Sequence, residues 1–142
     1  MEERIICAFE SRLNARNTAS CTLYADRVVL RTNGGGWNRV YNNKERVIPL
    51  HEIKRVVISR GGIRFFIHHP NCIHFVTAAS RRTVDEMFRD PSFHACDYIS
   101  EGVCQFSPKT QAELDEKIEI AVRMKAWIEE HRQETPGRTV TE

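Results

Sequence analysis

The sequence predicts a mainly β, α+β domain: many short antiparallel strands followed by one amphipathic C-terminal helix. Three observations predict it. Between residues 21 and 76, short runs of β-branched and aromatic residues alternate with polar ones, the period of half-buried strands. Ala25-Asp26, Asn33-Gly34, Gly61-Gly62 and Pro70-Asn71 divide these runs, and all are turn or loop formers. From Thr110 onward the period becomes that of an amphipathic helix and holds for about twenty residues. At 142 residues, 41% hydrophobic and 28% charged, the chain is long enough for one domain with a genuine core. That domain is expected over residues 1–134, with an insertion at about 78–103 and a disordered tail over 135–142.

CTLYADRVVLRT (21–32) reads as two short strands about an Ala25-Asp26 turn, or as one bent strand. Within it Val28 and Leu30 alternate with Arg27, Val29 and Arg31. NGGGWNRVYNN (33–43) is loop chemistry, and ERVIPL (45–50) resumes an extended pattern. Pro49 has no N–H to give a ladder, so this strand should lie at an edge or end there. HEIKRVVISRGG supplies a β-branched strand, Ile53 to Ser59, closed by Gly61-Gly62.

IRFFIHHPNCIHF (63–75) predicts a β-hairpin. A two-residue loop would split its apolar residues between two faces. An odd loop about His69-Pro70-Asn71 pairs Ile67 with Ile73 and Phe65 with Phe75. Ile63, Phe65, Ile67, Ile73 and Phe75 then share one apolar face, and burial selects that register. Asn71 suits the left-handed conformation of such a loop.

Residues 78–103 read as an insertion before the last strand. Thr83-Val84-Asp85-Glu86 resembles a capping box and predicts one or two helical turns through Met87 and Phe88, stopped by Asp90-Pro91. HACDYIS and GVCQF read as short extended pieces about a Ser-Glu-Gly turn, with the last strand from Val103 to Phe106. A second capping box, Thr110 to Glu113, opens the helix, which runs to about Gln133. Leu114, Ile118, Ala121, Val122 and Ile128 make one apolar stripe; Ile120, Met124, Trp127 and His131 make a second beside it.

Five cysteines, odd in number and irregular in spacing, argue against a disulfide framework and for free thiols in a reducing cytoplasm. No apolar run approaches the roughly 18–20 residues that span a bilayer. The start, MEERIICAFE, is acidic and too short in apolar length for a secretory signal, so a cytoplasmic protein is expected. The net charge of +2 conceals an asymmetry. Residues 27–64 carry nine Lys/Arg against two acids, whereas residues 65–142 carry nine against thirteen. Such a dipole attracts phosphates or nucleic acid, or favours head-to-tail self-association; solvated strand faces are the plainer account.

Three stretches carry a resemblance. CTLYADRVVLR resembles the opening strand pair of small bacterial pleckstrin-homology-like (PH-like) domains. VIPLHEIKRVVI resembles their isoleucine-proline-leucine segment with its following strand, and GGIRFFI with PNCIHF resembles their glycine-led hairpin. The capped helix at 110–133 sits where that family's closing helix belongs. The resemblance covers about residues 19–77 and 103–133; the first seventeen residues and the insertion depart from it. It implies a curved antiparallel sheet of about seven strands, nearly a barrel, plugged at one end by the helix. It implies binding or assembly rather than catalysis, brings no catalytic residues, and calls for no cofactor.

Candidate sites follow from side-chain chemistry. His68, Cys72 and His74, on the outward face of the hairpin with Arg64, Phe66 and Val76, are zinc-type ligands. Against them, no Cys-x-x-Cys pair occurs, and no Asp or Glu between residues 53 and 84 can orient an imidazole. Cys96 near His94 matches no acyl-transfer pattern, and Cys7 and Cys21 read as small core residues. Asn33-Gly34-Gly35-Gly36 lacks the Lys-Ser/Thr of a P-loop. Trp37, Arg39 and Tyr41 suit a membrane interface, a stacked base or a protein partner, unless Trp37 folds back over the fold. Arg31, Arg39, Lys44 and Arg46 supply basic residues for an anionic lipid. Met124 and Trp127 either pack beneath the insertion or form a patch for a partner or a second copy. The expected function is a non-enzymatic module for protein contact or self-association through Trp37, Arg39, Tyr41, Lys44, Met124 and Trp127. Anionic lipid or phosphoinositide binding and a His/Cys metal hydrolase are the alternatives, and nucleic acid is the weaker partner class.

Overall fold

A computed structural model describes residues 4–13, 17–34, 44–63, 70–93 and 95–131. Among the described residues, seven antiparallel strands form two sheets, and a long helix packs on them. Strands β1 (Ile5–Arg12), β2 (Asn17–Tyr24), β3 (Arg27–Gly34) and β4 (Lys44–Pro49) make a four-stranded sheet in that order. Strands β5 (Arg55–Ser59), β6 (Cys72–Val76) and β7 (Val103–Gln105) make a three-stranded sheet with β6 at its centre. Helices α1 (Val84–Arg89) and α2 (Ala95–Ser100) lie in the insertion, and α3 (Gln111–His131) contacts β1 and β5. This arrangement is compatible with a PH-like topology.

Among the described residues neither sheet closes on itself into a barrel; the strands form two open sheets. The reason begins at Pro49, which ends β4 at the edge of the first sheet. Leu50 donates its N–H to the Asp26 carbonyl at 3.1 Å, and a 3-10 turn over Leu50–Glu52 redirects the chain into the second sheet. Hydrophobic burial therefore joins the two sheets. Cys21, Leu23, Val28 and Leu30 from the first sheet are fully buried in one cluster with Ile73 and Phe75 from the second. In β3, Val28 and Leu30 are fully buried and Arg31 is exposed, as the sequence predicts, but Val29, expected on the outer face, is also buried.

β6 corrects the hairpin expectation. Ile73 lies opposite Ile58 of β5 on one side and Cys104 of β7 on the other. Phe75 lies opposite Val56 and donates its N–H to Gly102 at 2.8 Å. A strand has two hydrogen-bonding edges, and both edges of β6 are taken. The inward direction of Ile73 and Phe75 is nevertheless the expected one, and both are fully buried. The remainder of the expected hairpin lies outside the described residues.

The insertion also departs from expectation. Residues 95–100 are helical rather than extended. Glu101 donates its N–H to the Asp97 carbonyl and Gly102 donates to Ile99 at 3.0 Å, closing the helix. Gly102 ends it at φ 84°, a left-handed conformation in which an added Cβ would stand 2.7 Å from the Phe75 oxygen. This glycine was the available sequence signal for a helix end. α1 forms as predicted, with Thr83 Oγ1 accepting from Glu86 N and the Glu86 carboxylate accepting from Thr83 N at 2.8 Å.

Helix α3 begins at the expected cap, where Thr110 Oγ1 accepts from Glu113 N at 3.1 Å. The Glu113 side chain reaches Lys109 N instead of closing the box on Thr110. Leu114, Ala121, Met124 and Ile128 are buried, with spacings of seven, three and four residues that keep them on one helical face. Met124 therefore belongs to the core stripe, its Sδ 3.6 Å from Cys21 Sγ, while Val122 is exposed. Trp127 is half-buried and stacks on His131, with ring centroids 3.8 Å apart.

Candidate binding cleft

Strand pairing defines the outer face of the second sheet. Side chains alternate across a strand, so Cys72, His74 and Val76 share the face opposite Ile73 and Phe75. Their partners on β5 are Ser59, Val57 and Arg55 respectively. The sequence reading places Cys72 and His74 in water. Instead, Cys72 is 0% and His74 is 4% exposed.

The insertion causes this burial. Val84 and Met87 of α1, Tyr98 of α2 and Val103 of β7 enclose Cys72 in a second hydrophobic cluster, with Phe93 packed at its margin. Phe93 meets Tyr98 edge-on at 5.3 Å. Burial pushes the Cys72 thiol far above its ordinary range, and the charges of Cys104 and Asp85 add to the effect. Such a thiol is a poor thiolate ligand and a poor nucleophile. No group of three metal-binding side chains occurs among the described residues, and His68 lies outside them. The outward-facing zinc arrangement is thus corrected at Cys72 and His74.

The second cluster covers the Cys72 end of this face and leaves the Val76 end open. There, β5, β6 and residues 80–85 bound a cleft of about 480 Å³. Val57, His74 and Val76 contribute to its lining, together with Ser59, Ser80 and Thr83. Four arginines line it, Arg55 and Arg60 from the β5 side and Arg81 and Arg82 from the insertion, against one acid, Asp85.

Local hydrogen bonds set the insertion wall. Thr77 donates its N–H to Ser80 Oγ at 3.0 Å, and Ala79 donates to Thr77 Oγ1, turning the chain back over the sheet. Arg82 pairs with Asp90 at 2.9 Å and lies over the Phe93 ring. Asp90 also accepts from the Ser92 N–H and hydroxyl. The Ser92 hydroxyl and the Arg82 guanidinium pull its carboxyl down to about 2. On the opposite side Arg60 pairs with Asp115 of α3 at 2.6 Å and holds that carboxyl below its ordinary value. The Arg55 and Arg81 side chains have no ion pair or hydrogen bond among the described residues.

His74 contributes to the lining differently. Its Nε2 is buried without a hydrogen-bond partner. Burial lowers the imidazole below its ordinary value, and the Arg55 and Arg46 charges lower it further. Burial therefore favours the neutral ring, beside Arg55, whose side chain is unpaired among the described residues.

The other expected site residues are dispersed. Lys44 is exposed at the start of β4, Trp127 lies on α3, and Met124 has no exposed surface to offer a partner. Trp37, Arg39 and Tyr41 lie outside the described residues, as do His94 and the side chain of Cys96. The cleft arginines were missed in sequence. Their signal was Arg81-Arg82 immediately before the capping box, facing Arg55 and Arg60 at the two ends of RVVISR. No protein-family model, curated protein or solved structure matches this chain.

Proposed function

We propose that this chain is a PH-like, non-enzymatic binding module that takes an acidic segment of a protein partner into the arginine-lined cleft. The observation that carries this reading is the imbalance of the cleft: four arginines against one aspartate, two of the four without an internal partner. Exposed Val57 and half-exposed Val76 add an apolar floor beside the charge. The matching ligand is an apolar side chain flanked by carboxylates, and electrostatic complementarity sets its register and on-rate. The buried, protonated thiol of Cys72 supports binding over nucleophilic catalysis. Cytoplasmic residence fits free thiols at Cys7, Cys21, Cys72 and Cys104, and no described helix is long and apolar enough to cross a membrane.

A fluorescein-labelled Glu-Glu-Leu-Glu-Glu peptide tests this reading by anisotropy. Affinity should fall as salt rises and should drop about tenfold in the Arg55→Gln/Arg81→Gln double variant, the loss of two charge-assisted contacts. Equal affinity in both proteins, or binding only to anionic vesicles, contradicts the proposal.

A further inference from the structure

We infer that the cleft is built for a tetrahedral oxyanion, the phosphate of a phosphorylated side chain on the partner, held by Arg55, Arg81 and His74. This inference rests on the protein-binding reading above and names the chemistry of its ligand. Carboxylates satisfy arginines through two oxygens in one plane. A phosphate presents three terminal oxygens in three directions and suits donors arriving from separate elements. The cleft has that disposition: Arg55 comes from β5, Arg81 from the insertion, and His74 from β6.

The second observation is the orphaned nitrogen. His74 is 4% exposed, lines the cleft, and keeps Nε2 without a partner. A buried polar atom left unsatisfied costs about 1–3 kcal/mol, so natural structures retain few without a use. In a neutral imidazole the nitrogen that carries the lone pair donates only after gaining a proton. The charges around it are Arg55 on β5, Arg46 on β4, Arg81 in the insertion and Asp85 at the start of α1. Burial first, then the Arg55 and Arg46 charges, favour the neutral ring, and a dianion in the cleft would offset them. Ser80 and Thr83 hydroxyls also line the cleft and are suited to the remaining phosphate oxygens.

This geometry differs from a lipid-headgroup reading through Arg31 and Lys44, which lie on the first sheet. The two sources of phosphate are therefore separable by substitution.

The test compares Glu-pSer-Leu-Glu-Glu with Glu-Ser-Leu-Glu-Glu and Glu-Glu-Leu-Glu-Glu on the full chain, with sulfate as a dianion that does not titrate between pH 5 and pH 8. The phosphopeptide should bind at least tenfold more tightly than either other peptide. That advantage should vanish in Arg55→Gln/Arg81→Gln and persist in Arg31→Gln/Lys44→Gln. Sulfate should compete, and on its addition the His74 Nε2 resonance should move to that of a protonated, hydrogen-bonded nitrogen. Equal affinity for the phosphorylated and glutamate peptides would overturn the phosphate assignment and leave the acidic-partner reading standing. Loss of all peptide binding overturns both. Binding of phosphoinositide vesicles through Arg31 and Lys44, with no phosphopeptide preference, assigns the anion to a membrane and also overturns the inference.

Discussion

Asn71 fastens Gly61: its Oδ1 accepts the Gly61 N–H at 2.6 Å, and its Nδ2 donates to the neighbouring Gly62 carbonyl at 2.6 Å. The Asn71 carbonyl in turn accepts from Phe106 N at 2.9 Å. One buried side chain thus ties the end of β5 to the strand that follows it. Asn71→Ala removes both side-chain bonds and leaves Gly61, itself buried, without this acceptor. A loss of about 1–3 kcal/mol is expected by urea unfolding, and Asn71→Asp should be no milder, because its second oxygen would face the Gly62 carbonyl, itself an acceptor. No loss in Asn71→Ala would show that the bond is not formed in solution.

Met87 and Phe88 are neighbours with opposite environments. Met87 is fully buried against Cys72 and Tyr98, whereas Phe88 is 42% exposed. Met87→Ala should cost about 2–5 kcal/mol and detach the insertion, because truncation leaves a cavity in a small cluster. Phe88→Ala should stay within about 0.5–1 kcal/mol of the parent. Hydrogen exchange over residues 84–100 would separate local detachment from global unfolding.

His74 gives the fold a pH dependence of defined sign. Its folded pKa lies below the ordinary 6.5, so the unfolded chain binds the proton more readily than the native one. Stability from this group is present in full above 6.5 and is lost as pH falls from there through the folded pKa. Urea midpoints between pH 8 and pH 5 should decline in the parent and decline less in His74→Gln. Saturating sulfate should flatten the parent's slope, since a bound dianion favours the protonated ring.

Much of the scaffold was legible because local chemistry and burial agreed there. Pro49 ended β4, Thr83 and Thr110 capped their helices, and Val28 and Leu30 set the inward face of β3. Pairing was less legible. Ile73 and Phe75 announce an apolar face, but their sequence does not say which strands occupy the two edges, and those are β5 and the distant β7. The helix at Ala95–Ser100 was missed because six residues are too few to display a period, leaving Gly102 as the informative residue. Met124 was assigned to the wrong stripe because a wide apolar arc does not mark its own centre.

The candidate site was hidden for a related reason. Cys72 and His74 attracted notice as metal ligands, yet their surroundings depend on the insertion folding back over β6. Arg55 and Arg81 lie twenty-six positions apart in sequence and meet only across that fold-back. Charge patterning along the chain recorded a basic middle, but the cleft draws half of its arginines from the acidic remainder.

Amide-shift mapping of the uniformly labelled chain with Glu-Glu-Leu-Glu-Glu tests whether the outer face of the second sheet is the binding surface. Shifts concentrated at residues 55–60, His74, Val76 and residues 80–85 are expected, with little change along α3 or the outer face of β1–β4. Shifts centred on Lys44, Trp127 or the first sheet, with the cleft silent, would contradict it.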